Sequence, residues 1–133
     1  MRGLFAEALN GHDVDALGRY CAVDYCWHGS GRDVEGLPAF KVALTEFFDA
    51  FPDVHAKIDD LVEGSDRIAV RYTESGTQRG TFMGIEPAGA AVEWQGIAIY
   101  RAADGLLVEE WSVTDTHSLL RQLGHAPRAD EES

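Results

Sequence analysis

The first half of the chain carries apolar residues at the spacing of amphipathic helices. This pattern predicts three helical segments, the last of which begins near Pro38 and ends at Phe51-Pro52-Asp53. Their apolar positions are Leu4, Phe5, Ala8, Leu9, Val14, Leu17, Tyr20, Phe40, Leu44, Phe47, Phe48 and Phe51. Asp13 is expected to cap the second helix. A brief strand over residues 24–28 and a turn at Gly29-Ser30-Gly31 are predicted before the third.

From residue 55 onward the apolar pattern changes to alternation, which is typical of strands. We predict four strands, over residues 55–62, 67–77, 92–101 and 106–115. Asp104-Gly105 is a strong hairpin signal between the last two of them. A closing helix over residues 116–123 follows, and Gly124 suits the position just after its C-terminus.

Helices followed by a run of strands predict an α+β fold. We expect a curved antiparallel sheet with the N-terminal helices packed on its concave face and a cavity between them. One such domain would occupy residues 1–124, and residues 125–133 would form a polar C-terminal tail.

The composition restricts the partners of this fold. Among 133 residues, 11 are basic and 23 acidic, which gives a net charge of −12. Binding to a phosphate backbone needs clustered Lys and Arg, so the charge argues against nucleic acids and anionic membranes. No apolar run approaches the roughly 20 residues of a membrane-spanning helix. The N-terminus lacks the pattern of a signal peptide, so a cytoplasmic location is expected, with Cys21 and Cys26 as free thiols.

Several short motifs lie in the second half of the chain. They are Phe51-Pro52-Asp53, Gly64-Ser65-Asp66-Arg67, Gly76-Thr77, Tyr100-Arg101, Asp104-Gly105, Trp111, Asp115 and Leu120-Arg121-Gln122-Leu123-Gly124. With them the chain resembles the SnoaL-like polyketide cyclases, which implies the nuclear-transport-factor-two-like fold, a cone or cystatin-like roll. The last motif, with Asp115 ahead of it, is the most specific.

This resemblance implies a small cofactor-independent enzyme that acts on a hydrophobic, polyketide-like molecule in an internal cavity. It implies that Asp115 is the general acid/base of an intramolecular aldol ring closure, without a metal or organic cofactor. The cyclases carry polar Gln and His side chains where this chain has Gly96 and Ala98, which implies a wider and less polar cavity. By analogy with the fold, a homodimer through the sheet is expected, with Ile97 and Ile99 on the exposed face.

The residues themselves leave two interpretations of Asp115 open. It would share a strand face with Trp111 and Val113, whose apolar surroundings would raise its pKa toward neutrality, as a base that deprotonates carbon requires. Because it directly precedes the closing helix, it could instead be an N-cap with a lowered pKa. His28 is expected near the cavity mouth, where it could share acid/base work, or else in a solvated loop.

A flat ligand would need an apolar wall, and six residues are candidates for it. These substrate-binding candidates are Trp27, Tyr72, Trp94, Gly96, Ala98 and Trp111. Ordinary core packing is the alternative for the aromatic ones. No two histidines show the spacing of metal ligands, so no metal site is predicted.

Three functions remain in competition at this level. The first is acid/base chemistry by Asp115 and His28 on a polyketide-like substrate. The second is epoxide opening or isomerisation on the same fold, and the third is a non-catalytic module for ligand binding or dimerisation.

Overall fold

The computed structural model describes residues 1–29 and 31–124 of the chain. The predicted tail over residues 125–133 lies outside the described residues, as does Ser30 of the predicted turn.

In the described residues, three α-helices, one π-helical segment and one 3-10 helix accompany the sheet. Helix α1 is the single turn Arg2–Leu4, which continues as a π-helical segment, Phe5–Asn10. A 3-10 helix, Val14–Arg19, follows, and Asp13 caps it as predicted by accepting a hydrogen bond from the Asp15 N–H at 3.1 Å. The others are α2, Leu37–Ala50, and α3, Thr116–Gln122. In the described ranges no helix combines the length and the apolar character needed to cross a membrane.

The sheet has six strands in the order β2-β1-β6-β5-β4-β3. Their bounds are β1 Cys21–Gly29, β2 Arg32–Glu35, β3 His55–Glu63, β4 Arg67–Thr77, β5 Ala91–Ala103 and β6 Leu106–Thr114. All neighbours are antiparallel except β1 and β6, which run parallel. The expectation of a purely antiparallel sheet is therefore wrong at this pair, because the last strand, β6, lies beside the first strand, β1, and runs in the same direction. Strand β2 was not predicted, since a four-residue strand with one apolar residue, Val34, shows too little alternation.

A β-bulge decides which face of β6 points inward. Close to the hairpin Ala102 pairs with Leu107, whereas the next pair is Arg101 with Glu109, so Val108 is an extra residue in β6. An extra residue reverses the alternation beyond it relative to an unbroken ladder. Glu110 consequently lies opposite Tyr100, on the buried side of the sheet.

The helical segments cover one face of the sheet and build the core there. One buried cluster joins Leu4, Phe5 and Leu17 to Val70 and Tyr72 of β4. A second surrounds Phe51 and includes Trp94 and Leu119. The predicted α+β fold, with helices packed on one face of a curved sheet, is confirmed.

Candidate active site

A cavity of about 490 Å³ lies between the covered face of the sheet and the helical segments. This volume falls in the range of small-molecule sites. Aromatic residues dominate its wall, namely Phe5, Tyr25, Trp27, Phe40, Phe47, Tyr72, Phe82, Trp94 and Tyr100. Three acidic residues also line it, Glu74, Glu110 and the exposed Glu46, together with hydroxyl residues that include Ser112 and Thr114.

Glu110 projects into this cavity from the middle of β6. Its side chain is buried, and its Oε1 accepts a hydrogen bond from the Tyr25 hydroxyl of β1. Tyr100 of β5 pairs with Glu110 across the sheet, and its hydroxyl also favours the carboxylate. Burial raises the pKa of Glu110 to about 7, although both hydroxyls favour the carboxylate and oppose the rise.

Glu74 approaches the same cavity from β4, where it pairs with Trp94 of β5. The indole Nε1–H of Trp94 donates to Glu74 Oε1 at 3.3 Å. Burial raises the pKa of Glu74 to about 7, and the nearby charge of Glu110 adds to the rise. Two carboxyl groups that can each accept or donate a proton near neutral pH therefore face one apolar cavity.

A third polar contact in the wall joins β1 to β6. Trp27 Nε1–H donates to Ser112 Oγ at 2.7 Å. Ser112 lies two residues beyond Glu110 on the same face of β6 and is 9% exposed. Hydrogen bonds to neighbouring strands thus hold Glu74, Glu110 and Ser112 in position.

Three of the six predicted wall residues do line the cavity, namely Trp27, Tyr72 and Trp94. Gly96 and Ala98 lie on the same buried face of β5 but are not part of the wall. A Cβ at Gly96 would overlap the hydroxyl and ring of Tyr72, and Ala98 is packed in the core at 1% exposure. The expectation that these two residues widen the cavity is therefore wrong, because a neighbouring side chain already fills the space.

The structure contradicts the predicted position of Asp115. Its side chain is exposed at the N-terminus of α3, where Oδ1 accepts a hydrogen bond from the Ser118 N–H at 3.1 Å. It lies by a shallow depression lined also by Arg71, Gln95 and Val113, outside the main cavity. Of the two interpretations drawn from the sequence, the geometry is that of the helix cap.

His28 and Trp111 also lie on the opposite face of the sheet from the cavity carboxyls. Their rings stack at a centroid distance of 5.5 Å, and Trp111 is 37% exposed. His28 Nδ1 lies 2.9 Å from Asp33 Oδ1, and Nε2 lies 2.7 Å from Glu109 Oε2. Because Tyr25 and Trp27 of β1 point into the cavity, the alternation of the strand directs His28 away from it. The predicted placement of both residues at the cavity is wrong.

Sequence reasoning missed Glu74, Glu110, Tyr25 and Ser112. The alternation of β4 and β5 places Val70, Tyr72 and Trp94 inward, and Glu74 belongs to the same face. The position of Glu74, two residues after the buried Tyr72 in an alternating strand, could therefore have indicated that its side chain faces inward. Glu110 and Ser112 gave no such signal, because the bulge that turns them inward cannot be recognised in the apolar pattern.

Within residues 1–29 and 31–124, no group of three or more His, Cys, Asp or Glu residues is placed to hold a metal ion.

The chain is similar to known proteins both in sequence and in fold. The family model of the SnoaL-like polyketide cyclases matches residues 1–123. The structure of IdmH from Streptomyces antibioticus is 30% identical with a TM-score of 0.81, and the match covers 92% of this chain and 94% of IdmH. TsrD from Streptomyces laurentii is 29% identical with a TM-score of 0.84, with coverages of 91% and 90%.

A third solved structure, a SnoaL-like polyketide cyclase from Agrobacterium tumefaciens, is 27% identical with a TM-score of 0.76. The match covers 90% of this chain and 92% of that protein. No curated protein sequence matches the chain.

Proposed function

The chain belongs to the SnoaL-like polyketide cyclase family, and we propose that it catalyses cofactor-independent acid/base chemistry on a hydrophobic, polyketide-like substrate in its internal cavity. The observation that carries this proposal is Glu110, a buried carboxyl with a pKa of about 7 that faces an aromatic wall. A general acid/base works best when its pKa lies near the working pH. Glu110 therefore takes the role that the sequence had suggested for Asp115.

The proposed reaction is an intramolecular aldol ring closure. The Glu110 carboxylate takes a proton from a carbon next to a carbonyl group, and the C–H electron pair becomes an enolate. The enolate carbon attacks a second carbonyl carbon of the same substrate, which forms the C–C bond and leaves an alkoxide. That alkoxide takes the proton held by Glu110, which restores the Glu110 carboxylate. The product is an isomer of the substrate, so no further reactant is needed.

The charge of the wall supports a neutral substrate. Glu74 and Glu110 contribute negative charge when ionised, and in the described part of the chain neither forms an ion pair. Arg32 is the one basic side chain among the described wall residues, and it is exposed. A carboxylate-bearing ligand would meet repulsion without a buried cation to offset it.

Deuterium exchange of 2-tetralone in D₂O tests the proton abstraction without knowledge of the natural substrate. This flat bicyclic ketone has acidic protons next to its carbonyl group, and NMR follows their replacement. We expect the protein to accelerate the exchange and Glu110→Gln to slow it by about 10²–10⁴-fold, the usual contribution of a general base. Asp115→Asn is the matched control, because asparagine caps a helix about as well as aspartate. The proposal fails if the wild-type protein gives no acceleration, or if folded Glu110→Gln matches the wild type.

A further inference from the structure

Ser112 is a buried polar side chain of the cavity wall to which the proposed proton transfers assign no role. It is 9% exposed, lines the cavity, and follows Glu110 by two residues on the same strand face. Residues two apart on a strand lie about 7 Å apart and point the same way. Glu110 and Ser112 therefore face one ligand from adjacent positions.

The hydrogen bond to Trp27 determines what Ser112 can still do. An indole N–H can only donate, so at the 2.7 Å contact the Ser112 oxygen is the acceptor. The hydroxyl hydrogen of Ser112 remains, and the described part of the chain supplies no acceptor for it. A buried donor without a partner is unfavourable, so this hydrogen is available to an acceptor in the cavity.

The hydroxyl of Tyr25, another donor beside Glu110, is already engaged. Tyr25 donates its hydrogen to Glu110 Oε1. Donation from Trp27 to the Ser112 oxygen also makes the Ser112 O–H a better donor, because hydrogen bonds in a chain polarise one another.

We propose that Ser112 donates this hydrogen bond to the carbonyl oxygen of the substrate while Glu110 takes the proton from the adjacent carbon. The inference rests on the proposed function and names the group that the site recognises, a ketone oxygen. In a ketone the oxygen and the adjacent carbon are about 2.4 Å apart. With a contact of about 3 Å at each end, one ketone spans the separation of the two side chains on β6.

This placement gives Ser112 a larger effect on the enolate than on the ketone. Negative charge develops on the carbonyl oxygen as the proton leaves, and a fixed donor in an apolar site stabilises that charge more than the neutral oxygen. Trp27 is a positioning residue, since its N–H holds the serine rotamer and does not itself contact the substrate oxygen.

Three variants separate the hydroxyl from the shape of the side chain. Ser112→Ala removes the donor, Ser112→Thr keeps it, and Trp27→Phe removes the N–H that orients it. In the 2-tetralone exchange, we expect Ser112→Ala to lower kcat by about 10²-fold with little change in KM. Ser112→Thr should restore most of the rate, and Trp27→Phe should give an intermediate loss. Circular dichroism checks that each variant is folded.

The infrared carbonyl band of bound, ¹³C-labelled 2-tetralone gives a readout that does not depend on turnover. A hydrogen bond to the oxygen lowers the stretching frequency, so the band should move to lower wavenumber in the wild type and in Ser112→Thr. In Ser112→Ala it should return toward its position in an apolar solvent. The inference is overturned if Ser112→Ala keeps the shifted band, or if Ser112→Thr behaves like Ser112→Ala. If Glu110→Gln leaves exchange unchanged while Ser112→Ala still shifts the band, the proposed function fails and the carbonyl contact stands.

Discussion

Glu74 and Glu110 carry a cost at the scale of the single residue, because Glu110 is buried, Glu74 is half-buried, and neither has an ion pair among the described residues. An acid whose pKa is raised in the folded state binds more protons there than in the unfolded chain over the interval between the two pKa values. The free energy of unfolding therefore falls as pH rises from about 4.5 to about 7 and levels off above it. For the buried Glu110 this loss is on the order of 3 kcal/mol.

Removal of one titrating group should flatten this dependence. In Glu110→Gln, the fall in the free energy of unfolding between pH 4.5 and pH 7 should be smaller than in the wild type by about 3 kcal/mol. Urea denaturation at a series of pH values, followed by tryptophan fluorescence, measures the difference. Equal slopes in the two proteins would show that Glu110 titrates in the folded state as it does in the unfolded chain.

At the scale of the element, His28 links three strands on the outer face of the sheet. Contact of both ring nitrogens with carboxylates requires the doubly protonated imidazolium. Asp33 of β2 lies on one side, and Glu109 of β6 lies on the other and also accepts a hydrogen bond from Arg101 Nε at 3.2 Å. The hydrogen bond to Asp33 raises the pKa of His28 most, and the hydrogen bond to Glu109 raises it further. The hydrogen bond from His28 lowers the pKa of Glu109 most, and the hydrogen bond from Arg101 lowers it further.

The attachment of the edge strand β2 should weaken with rising pH. A raised pKa means that the contribution of His28 is complete below about 6.5, its ordinary pKa, and is lost as pH rises through the higher value in the folded state. We expect amide hydrogen exchange in Arg32–Glu35, corrected for its intrinsic rate, to become faster across this interval. His28→Gln should show fast exchange at every pH. A protection of β2 that is independent of pH in the wild type would contradict this link.

The elements also show how far the sequence alone could lead. Alternation along residues 67–77 and 92–101 predicted β4 and β5 and their buried faces, because those strands follow an unbroken pleat. The same logic placed Asp115, Trp111 and Val113 inward, since a hairpin at Asp104-Gly105 without a bulge pairs residue 100 with residue 109. Val108 adds one residue and reverses that assignment. The candidate site was missed for this reason, because beyond Val108 the apolar residues Trp111 and Val113 lie on the outer face while Glu110 and Ser112 face the cavity.

At the scale of the whole molecule, the outer face of the sheet presents an apolar patch. It comprises Ile97, Ile99, Trp111 and Val113, which are 53%, 43%, 37% and 68% exposed. Ile97 pairs with Val113 and Ile99 with Trp111, so the four side chains are contiguous on β5 and β6. Contiguous exposed apolar residues mark an interaction surface, and a twofold dimer buries the same patch on both partners. We propose that the protein forms a homodimer through this face.

Charges placed in the patch should dissociate such a dimer. In Ile97→Asp/Val113→Asp, two carboxylates per protomer would meet like charges across the twofold axis, which opposes association. Sedimentation velocity at micromolar concentration should give a dimer for the wild type and a monomer for the variant. Because both positions are exposed, the fold should persist, and circular dichroism checks this. A wild-type monomer at that concentration would refute the proposal.

The contact between Gly96 and Tyr72 has a consequence for how such a cavity can diversify. The ring that fills the space beside Gly96 comes from the neighbouring strand β4, so two strands share the volume of one side chain. A larger residue at position 96 is compatible with this cavity only if position 72 becomes smaller at the same time. Positions 72 and 96 are therefore expected to covary among homologues. A polar group can in this way pass from β4 to β5 without a change in the backbone.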